Sequence, residues 1–235
     1  MVQRDLLLDV TRLVWRVWSG RLPTGIDRVC LAYLDHYAAR SLAVVQRNEL
    51  RLVLSERHSD ELFALLRQGG KGFRRRLAAL LAAVALSGGP RRSTKGWTYL
   101  NIGHTGLDSP GLAAWLAEQA WKPVYLVHDL IPISHPEFCR PGESKRHRQR
   151  MRTVLESAAG VIANSAATRD ALAEFARREG RPEPPCEVAW LASPDEVDAA
   201  PVSTGNRPTF VMIGTIEGRK NHLLLLHLWE RMARD

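Results

Sequence analysis

The feature of this sequence that most constrains its fold is a regular alternation of strand-like and helix-like segments between residues 97 and 191. Short runs rich in Val, Ile, Leu and Tyr are each followed by a longer stretch in which apolar residues recur at helical spacing. The predicted strands are Trp97–Ile102, Val124–His128, Val161–Ala163 and Glu187–Leu191, and the predicted helices are Pro110–Trp121, Glu143–Ala159 and Ala166–Arg178, the last capped by Ser165. Such alternation is typical of a parallel sheet with helices on both faces. We therefore predict an α/β fold with a Rossmann-like sheet.

The segment before residue 97 extends this pattern. A strand at Leu6–Val10 is followed by a turn-like stretch at 19–25 and by an amphipathic helix whose apolar positions run from Ile26 to Tyr37. Two further strands and two further helices are predicted at Leu42–Val45, Leu52–Leu54, Glu61–Gln68 and Phe73–Leu86. Residues 1–192 are thereby predicted to form one domain.

The end of the chain is predicted to begin a second domain. Residues 193–208 are rich in Pro, Ser, Asp and Gly and are expected to be a linker. After them, Phe210–Gly214 is predicted as a strand and Asn221–Ala233 as an amphipathic helix. One strand and one helix lack partners for their apolar faces, so residues 209–235 are expected to be the start of an incomplete domain.

Charge, cysteine content and the length of apolar runs limit the classes of protein to which this chain can belong. The net charge of +8 is compatible with anionic substrates, an anionic membrane surface or nucleic acid, but the sequence has no nucleic-acid-binding motif to support the last. Three widely spaced cysteines indicate neither a disulfide framework nor a zinc site, which fits the cytoplasm. The longest apolar run, Leu77–Leu86, has ten residues, about half of what a bilayer span needs.

Three loops carry residues suited to ligand chemistry at the carboxyl ends of the strands, where open parallel sheets bind ligands. The first is Thr24–Val29, in which Gly25 permits a close approach of the backbone and Arg28 adds charge at a helix N-terminus suited to an anion. A helix cap without a ligand is the alternative.

The second loop, His128–Glu137, follows a strand directly. His128, Asp129, His135 and Glu137 are titratable and lie on a proline-containing loop, which suits binding of substrate hydroxyls or proton transfer. Capping of the next helix is the alternative. The chain has no DxD pattern, so a metal-dependent site of that type is not predicted.

The third loop is Gly214–His222. Arg219 and Lys220 are adjacent cations between a predicted strand and a predicted helix, an arrangement suited to a diphosphate. The spacing is not that of a P-loop, and a solvated turn is the alternative.

Two basic stretches lie outside these loops. Arg74–Arg76 precede the apolar run Leu77–Leu86, which permits a peripheral contact with an anionic membrane, although an ordinary surface helix is favoured. Lys145–Arg152 contains five Lys and Arg residues, and a solvated helix face is expected there.

The order of four segments, TGIDRV, HDLIPISHPE, VIANSAATRDAL and GTIEGRKNHLLLL, resembles the retaining GT-B glycosyltransferases of family 4. The likeness is greatest to bacterial mannosyltransferase-like members that build surface polysaccharides. It extends over nearly the whole chain, and GTIEGRKNH is its most specific part.

The resemblance implies two facing Rossmann-like domains, of which the front domain binds the acceptor and the rear domain binds a nucleotide sugar. Gly25 and Arg28 would face the donor phosphates, and Arg219 and Lys220 would bind the diphosphate and stabilise it as a leaving group without a metal or another cofactor. His128 and Asp129 would lie near the reacting sugar. Ser165 would shape the cleft, with His135 and Glu137 on the acceptor side.

The family's pair of glutamates that bind the donor sugar and ribose is absent from this chain, and Glu217-Gly218-Arg219 replaces the commoner Glu-Pro-Arg. The sequence therefore predicts a truncated or split glycosyltransferase that is inactive alone and needs a second polypeptide to supply the rest of the donor domain. The expected partners are a nucleotide sugar and a glycan or lipid-linked acceptor, at the inner face of the membrane or in the cytoplasm. A non-catalytic module that binds an acceptor or a partner is the alternative.

Overall fold

The computed structural model describes residues 3–87, 90, 92–192, 210–214 and 216–234. The predicted linker at 193–208 lies outside these residues. Everything below concerns the described part of the chain.

The centre of the fold is a seven-stranded sheet with the order β3-β2-β1-β4-β5-β6-β7. Every neighbouring pair is parallel except β2 and β3, which are antiparallel. The strands are β1 (Leu6–Asp9), β2 (Ser41–Arg47), β3 (Leu50–Val53), β4 (Thr98–Asn101), β5 (Lys122–Val127), β6 (Gly160–Ala163) and β7 (Cys186–Val188). The predicted Rossmann-like α/β fold is confirmed.

Helices lie between the strands in the chain, and a last one follows the sheet. They are α1 (Thr11–Trp18), α2 (Gly25–Tyr37), α3 (Glu56–Gln68), α4 (Phe73–Ser87), α5 (Leu112–Glu118), α6 (Ile131–Ser134), α7 (Glu143–Ser157), α8 (Ala166–Arg178) and α9 (His222–Arg234). Short 3-10 turns occur at Ala38–Arg40, Pro136–Phe138 and Gly218–Lys220.

The sheet is buried on both faces because helices pack against each of them, and alternate strand residues point to opposite sides. In β1, Leu8 belongs to one hydrophobic core together with α2, α3 and α4, whereas Leu7 belongs to a second core with α5, α7 and α8. In β2, Ala43 and Leu42 divide between the same two cores. This double burial explains why the strands are almost continuously apolar rather than alternating.

Three elements differ from the sequence-based expectation. The helix α1 begins directly after β1, although residues 11–18 carry no recognised cap; apolar Leu13 and Val14 are buried in the core. The strand β3 returns antiparallel to β2 through a tight hairpin in which Asn48 has a φ of 55°, a conformation that Asn tolerates. The helix α6 forms inside the predicted loop 128–137.

The predicted strand Phe210–Gly214 is not formed: residues 210–214 are irregular and pair with no strand of the sheet. An extended segment becomes a strand only when a neighbour accepts and donates its backbone hydrogen bonds. The following helix α9 forms as expected, but its apolar residues are exposed, including Leu223 (63%) and Met232 (65%).

Candidate functional site at the carboxyl edge of the sheet

A cavity of about 230 Å³, called the central cavity below, opens at the carboxyl ends of β1, β4 and β5. The strand order reverses between β1 and β4, because the chain continues from β1 to β2 on one side and from β4 to β5 on the other. Connections that diverge at such a switch point leave a crevice, the usual ligand site of this architecture. Its lining consists of Arg12, Ile26, Gly103, His104, Thr105, His128, Asp129, Pro132, Glu143, His147 and Arg150.

One wall of the central cavity is held by a buried ion-pair cluster. The Asp27 side chain is 1% exposed and accepts from Arg12 Nε at 2.7 Å, with Arg16 Nε at 2.8 Å from its second oxygen. The same carboxylate accepts from the backbone N–H and the hydroxyl of Thr24, both at 2.7 Å. The bond from the Thr24 N–H is one half of the capping box of α2, and the other half is the bond from the Asp27 N–H to the Thr24 side chain. Asp27 therefore both starts the helix and positions two arginines of α1.

Gly103 makes room for this cluster. A Cβ at position 103 would lie 2.6 Å from Cδ and 2.8 Å from Cβ of Arg12, so only glycine lets the Arg12 side chain cross the loop after β4. The Arg12 Nη1 group donates weakly to the Gly103 carbonyl at 3.3 Å.

Three histidines, His104, His128 and His147, form a cluster in the floor of the central cavity. The ring centroids of His104 and His128 are 5.2 Å apart, and those of His104 and His147 are 5.8 Å apart. Each Nε2 lies within 3.0 Å of a backbone carbonyl, namely those of Leu126, Ile102 and Asp129 respectively. A carbonyl only accepts hydrogen bonds, so Nε2 carries the proton and the neutral ring keeps its lone pair on Nδ1.

The histidine cluster is electrically neutral near pH 7. Burial lowers the pKa of all three imidazoles, most strongly that of His104, where the neighbouring His128 and His147 add to the effect. For His128, the hydrogen bond to the Ile102 carbonyl and the nearby Asp129 carboxylate partly oppose this shift in pKa. The cluster therefore offers hydrogen-bond acceptors rather than positive charge to a ligand.

A buried polar network lies beside the central cavity at the ends of β1, β2 and β4. The Asp9 Oδ2 atom accepts from the Tyr99 hydroxyl at 2.6 Å and from Gln46 Nε2 at 2.5 Å, while Asp9 Oδ1 accepts from the Thr11 N–H at 2.9 Å. Burial raises the pKa of the Asp9 carboxyl, although hydrogen bonds from Tyr99, Thr11 and Gln46 oppose the shift. Among the described residues, Oε1 of Gln46 has no donor.

In the described part of the structure, further cavities adjoin the central one. The outer cavity, of about 580 Å³, lies along the β2–β3 hairpin and includes Gln46 and Trp15. The arginine cavity, of about 430 Å³, is lined by Arg12, Trp15, Arg16, Trp18, Ser19, Arg21 and Thr105. The loop cavity, of about 330 Å³, lies between Asp129, Ile131, Pro132, Phe138, Cys139, Arg140, Glu143, Ile216 and Glu217.

The structure brings His128 and Asp129 to the central cavity, as the position after β5 predicts. The two other residues expected on this loop lie elsewhere: Glu137 is exposed in the 3-10 turn, and exposed His135 pairs through Nδ1 with the Ser134 hydroxyl at 2.8 Å. The cause is α6, which carries the chain away from the cavity before residue 135.

Ser165 supports the site from behind. Its hydroxyl accepts from the Thr168 N–H at 3.2 Å and caps α8, and the Thr168 hydroxyl lies 3.2 Å from the carbonyl oxygen of His128. Ser165 is not in the lining of the central cavity.

The loop at the start of α2 contributes differently from expectation. Gly25 and Arg28 are exposed and are not in the lining of the four cavities. Asp27 and Thr24 of the same loop instead hold Arg12. Sequence reasoning missed Arg12, although it lies three residues beyond β1, where a ligand-binding residue is expected.

Part of the third predicted loop lies near the second predicted loop, His128–Glu137. Lys220 is exposed at the end of the 3-10 turn, and the side chain of Arg219 lies outside the described part of the structure. A Cβ at Gly218 would lie 3.8 Å from Cδ1 of Phe138. Ile216 and Glu217 share the loop cavity with Asp129, so this turn faces the second predicted loop.

In the basic helix α7, Lys145, Arg146 and Arg152 are exposed, as expected, whereas Arg150 is only 19% exposed. His147 is 5% exposed, and Arg150 lines the central cavity while its Nη1 contacts Glu143 at 3.1 Å. The sequence indicates this position, because His147 and Arg150 lie on the same helix face as the apolar Met151 and Val154, which are buried.

The basic helix α4 buries its apolar face. Phe73, Leu77 and Leu80 are in the core of the domain, and Arg74 donates to the Trp18 carbonyl at 2.8 Å. No helix in the described ranges is both long and apolar enough to cross a bilayer, and the described side chains contain no group of three His, Cys, Asp or Glu residues placed to hold a metal ion.

Fold and site together define a Rossmann-like α/β domain with a polar cavity at its topological switch point. Comparisons of the chain with protein-family models, with curated proteins and with solved structures find no match. The fold class is therefore established by the sheet itself.

Proposed function

We propose that this chain is the acceptor-side domain of a glycosyltransferase that transfers a sugar, with retention, from a nucleotide-sugar donor to a glycan or lipid-linked acceptor. The observation that carries the proposal is the central cavity, which combines His128, Asp129 and Arg12 at the switch point of the sheet. Ligands of this architecture bind at that position. The type of reaction is inferred from the order of the sequence motifs, which resembles that of family 4 glycosyltransferases.

The chemistry of the cavity suits a polyhydroxylated substrate. Neutral His128 keeps a lone pair on Nδ1 because its Nε2 donates to the Ile102 carbonyl at 2.8 Å. Nδ1 of His128 and the Asp129 carboxylate can accept hydrogen bonds from sugar hydroxyls, and Arg12 and Arg150 can donate to them. In the proposed reaction, the histidine and the carboxylate orient the hydroxyl that attacks the donor sugar.

The turn that precedes α9 supports the donor part of the proposal. Ile216 and Glu217 lie across the loop cavity from Asp129, and Arg219 and Lys220 follow directly in the chain. Two cations near the transferred sugar would stabilise the diphosphate that leaves it. The proposed site thus needs no metal for the leaving group.

The test is transfer of a labelled sugar from a panel of nucleotide sugars to lipid-linked acceptors, measured with the chain alone and with a polypeptide that supplies a complete donor domain. We expect His128→Gln and Asp129→Asn each to lower transfer by about 100-fold, the lower range for a general acid–base group. His36→Gln and Asp35→Asn are the matched controls, because both residues are exposed on α2 away from the cavity. Unchanged transfer in both cavity variants would contradict the proposal.

A non-catalytic binding module is the second candidate. It is favoured by the anchoring of all three histidines to backbone carbonyls, which suits fixed recognition of a ligand. Under this candidate, acceptor glycans bind to the chain and the His128→Gln variant weakens binding, but no nucleotide sugar is consumed with or without the second polypeptide.

A further inference from the structure

The arginine cavity has an unbalanced positive charge. Its lining contains the guanidinium groups of Arg12, Arg16 and Arg21 and no carboxylate. Asp27, which contacts Arg12 and Arg16, is not in the lining and has 1% of its side chain exposed. One carboxylate neutralises only one of the two arginines that it contacts, so a half-buried positive charge remains at this wall.

The two arginines are held in place before any ligand arrives. Arg12 and Arg16 have 24% and 20% of their side chains exposed, and both use Nε to contact Asp27. The Nη groups of both arginines are left out of these contacts with Asp27. Those of Arg12 make only long contacts of 3.3 and 3.4 Å, and those of Arg16 have no acceptor within the described part of the chain. Ordered guanidinium donors of this kind favour a tetrahedral, multiply charged oxyanion.

Aromatic rings complete the cavity. Trp15 and Trp18 pack edge to face with centroids 6.3 Å apart. The guanidinium carbon of Arg47 lies 5.1 Å from the Trp15 ring centroid, and that of Arg74 lies 5.7 Å from the Trp18 centroid. These contacts stiffen the indoles and add to the positive potential over the cavity.

The arginine cavity shares Arg12 and Thr105 with the central cavity. A ligand bound through a charged group at Arg16 would thus extend its uncharged part past Arg12 toward His128. Arg28, the arginine that the sequence motif favours for this purpose, is exposed and lines neither cavity.

We propose that Arg12 and Arg16, positioned by Asp27, bind the phosphoryl group of a phosphate-bearing substrate whose organic part occupies the central cavity. This inference rests on the proposed function, because it names the residues that would bind the phosphoryl group of a substrate of that reaction. Binding is measured without transfer, so the two proposals fail separately.

The experiment is calorimetric titration of the full chain with inorganic pyrophosphate at low ionic strength. We expect saturable binding that weakens by about tenfold or more in Arg16→Gln, since charge-assisted hydrogen bonds are among the strong ones. Arg28→Gln is the matched control, because it removes the same charge from an exposed position, and its affinity should stay within about twofold. Arg16→Lys should fall between the two, because it keeps the charge and loses the planar fork.

The indole N–H signals of Trp15 and Trp18 provide a second readout, and we expect both to shift on titration of the wild-type chain. A second arm replaces pyrophosphate by vesicles of phosphatidylcholine and phosphatidic acid. Binding that depends on Arg16 in the vesicle arm alone assigns the phosphoryl group to a lipid, and binding in the pyrophosphate arm alone assigns it to a soluble ligand.

Equal losses in Arg16→Gln and Arg28→Gln would overturn the proposal, because the binding would then reflect net charge only. Absence of Arg16-dependent binding in both arms would also overturn it. Intact pyrophosphate binding by a chain that transfers no sugar even with the polypeptide that supplies a complete donor domain would refute the proposed function and leave this site standing.

Discussion

Replacement of Asp27 by Asn tests the cluster on which both proposals depend. The substitution keeps the shape of the side chain, but it removes the charge that faces Arg12 and Arg16 and turns one acceptor into a donor. Breaking a fully buried pair costs about 3–5 kcal/mol. Because about a fifth to a quarter of each arginine side chain is exposed, water screens part of this loss, and we expect about 2–3 kcal/mol.

Thermal and denaturant unfolding measure this loss. For a domain of this size, the midpoint of thermal unfolding should fall by roughly 5–10 °C. Asp35→Asn is the matched control: Asp35 lies on the same helix and pairs with Arg67 at 2.6 Å, but its side chain is 62% exposed. An exposed pair of this kind contributes about 0–1 kcal/mol.

The pH dependence gives an independent check on the same substitution. Burial alone would raise the pKa of Asp27, but the hydrogen bonds from Thr24 and the pairing with Arg12 outweigh it and lower the pKa below the ordinary value of 3.8. A carboxyl with a lowered folded pKa stabilises the protein above its unfolded pKa and loses that contribution as the pH falls through the folded value. The gap between wild type and Asp27→Asn should therefore shrink below about pH 4. A gap under about 0.5 kcal/mol at neutral pH, equal to that of Asp35→Asn, would refute the reasoning.

Three further predictions concern stability. His104→Asn keeps the left-handed backbone (φ 58°) and removes an imidazole whose pKa is lowered by burial. The free energy of unfolding of the wild type should fall as the pH drops below about 6.5. In denaturant titrations, its slope against pH should be smaller in the variant by up to about 1.4 kcal/mol per pH unit. An unchanged slope would contradict burial of neutral His104. Gly106→Ala should cost about 2–4 kcal/mol, because φ is +83° and the new Cβ would lie 3.0 Å from Oε1 of Gln46. Gly20→Ala, with a φ of +69° and open space around the new Cβ, should cost about 1 kcal/mol. Equal unfolding midpoints for the two variants would exclude a steric contribution from Gln46. Ser165→Ala should cost about 1 kcal/mol through loss of the cap of α8, with a neutral result showing that the cap is replaced.

Much of the fold was predictable because its signals are local. Short apolar runs and helical spacing of apolar residues are properties of each segment, so β5, β6, α7 and α8 were located within a few residues. The helix α1 was missed because its sequence has no cap and its N-terminal boundary follows a strand without a turn. The antiparallel direction of β3 depends on a hairpin at Asn48, and short apolar strands do not encode their direction.

The candidate site was predictable only in part. His128 and Asp129 were found because they directly follow β5, and the carboxyl ends of parallel strands meet at one edge. His104 and Arg12 occupy equivalent positions after β4 and β1, but an isolated His or Arg in a loop is too common to single out. His135 and Glu137 were expected beside His128 from proximity in sequence, and the short helix α6 separates them from the cavity.

By itself, the sequence determined a parallel α/β sheet covered on both faces, the three loops in which ligand chemistry was sought, and a net charge of +8 that is compatible with anionic partners. Each of these is a property of neighbouring residues or of composition. The tertiary structure alone decided which arginines line the cavities. Arg12 reaches Asp27 and crosses Gly103, residues 15 and 91 positions away in the chain. Such contacts follow from the order of the strands, because only the adjacency of β1 and β4 brings the two loops together.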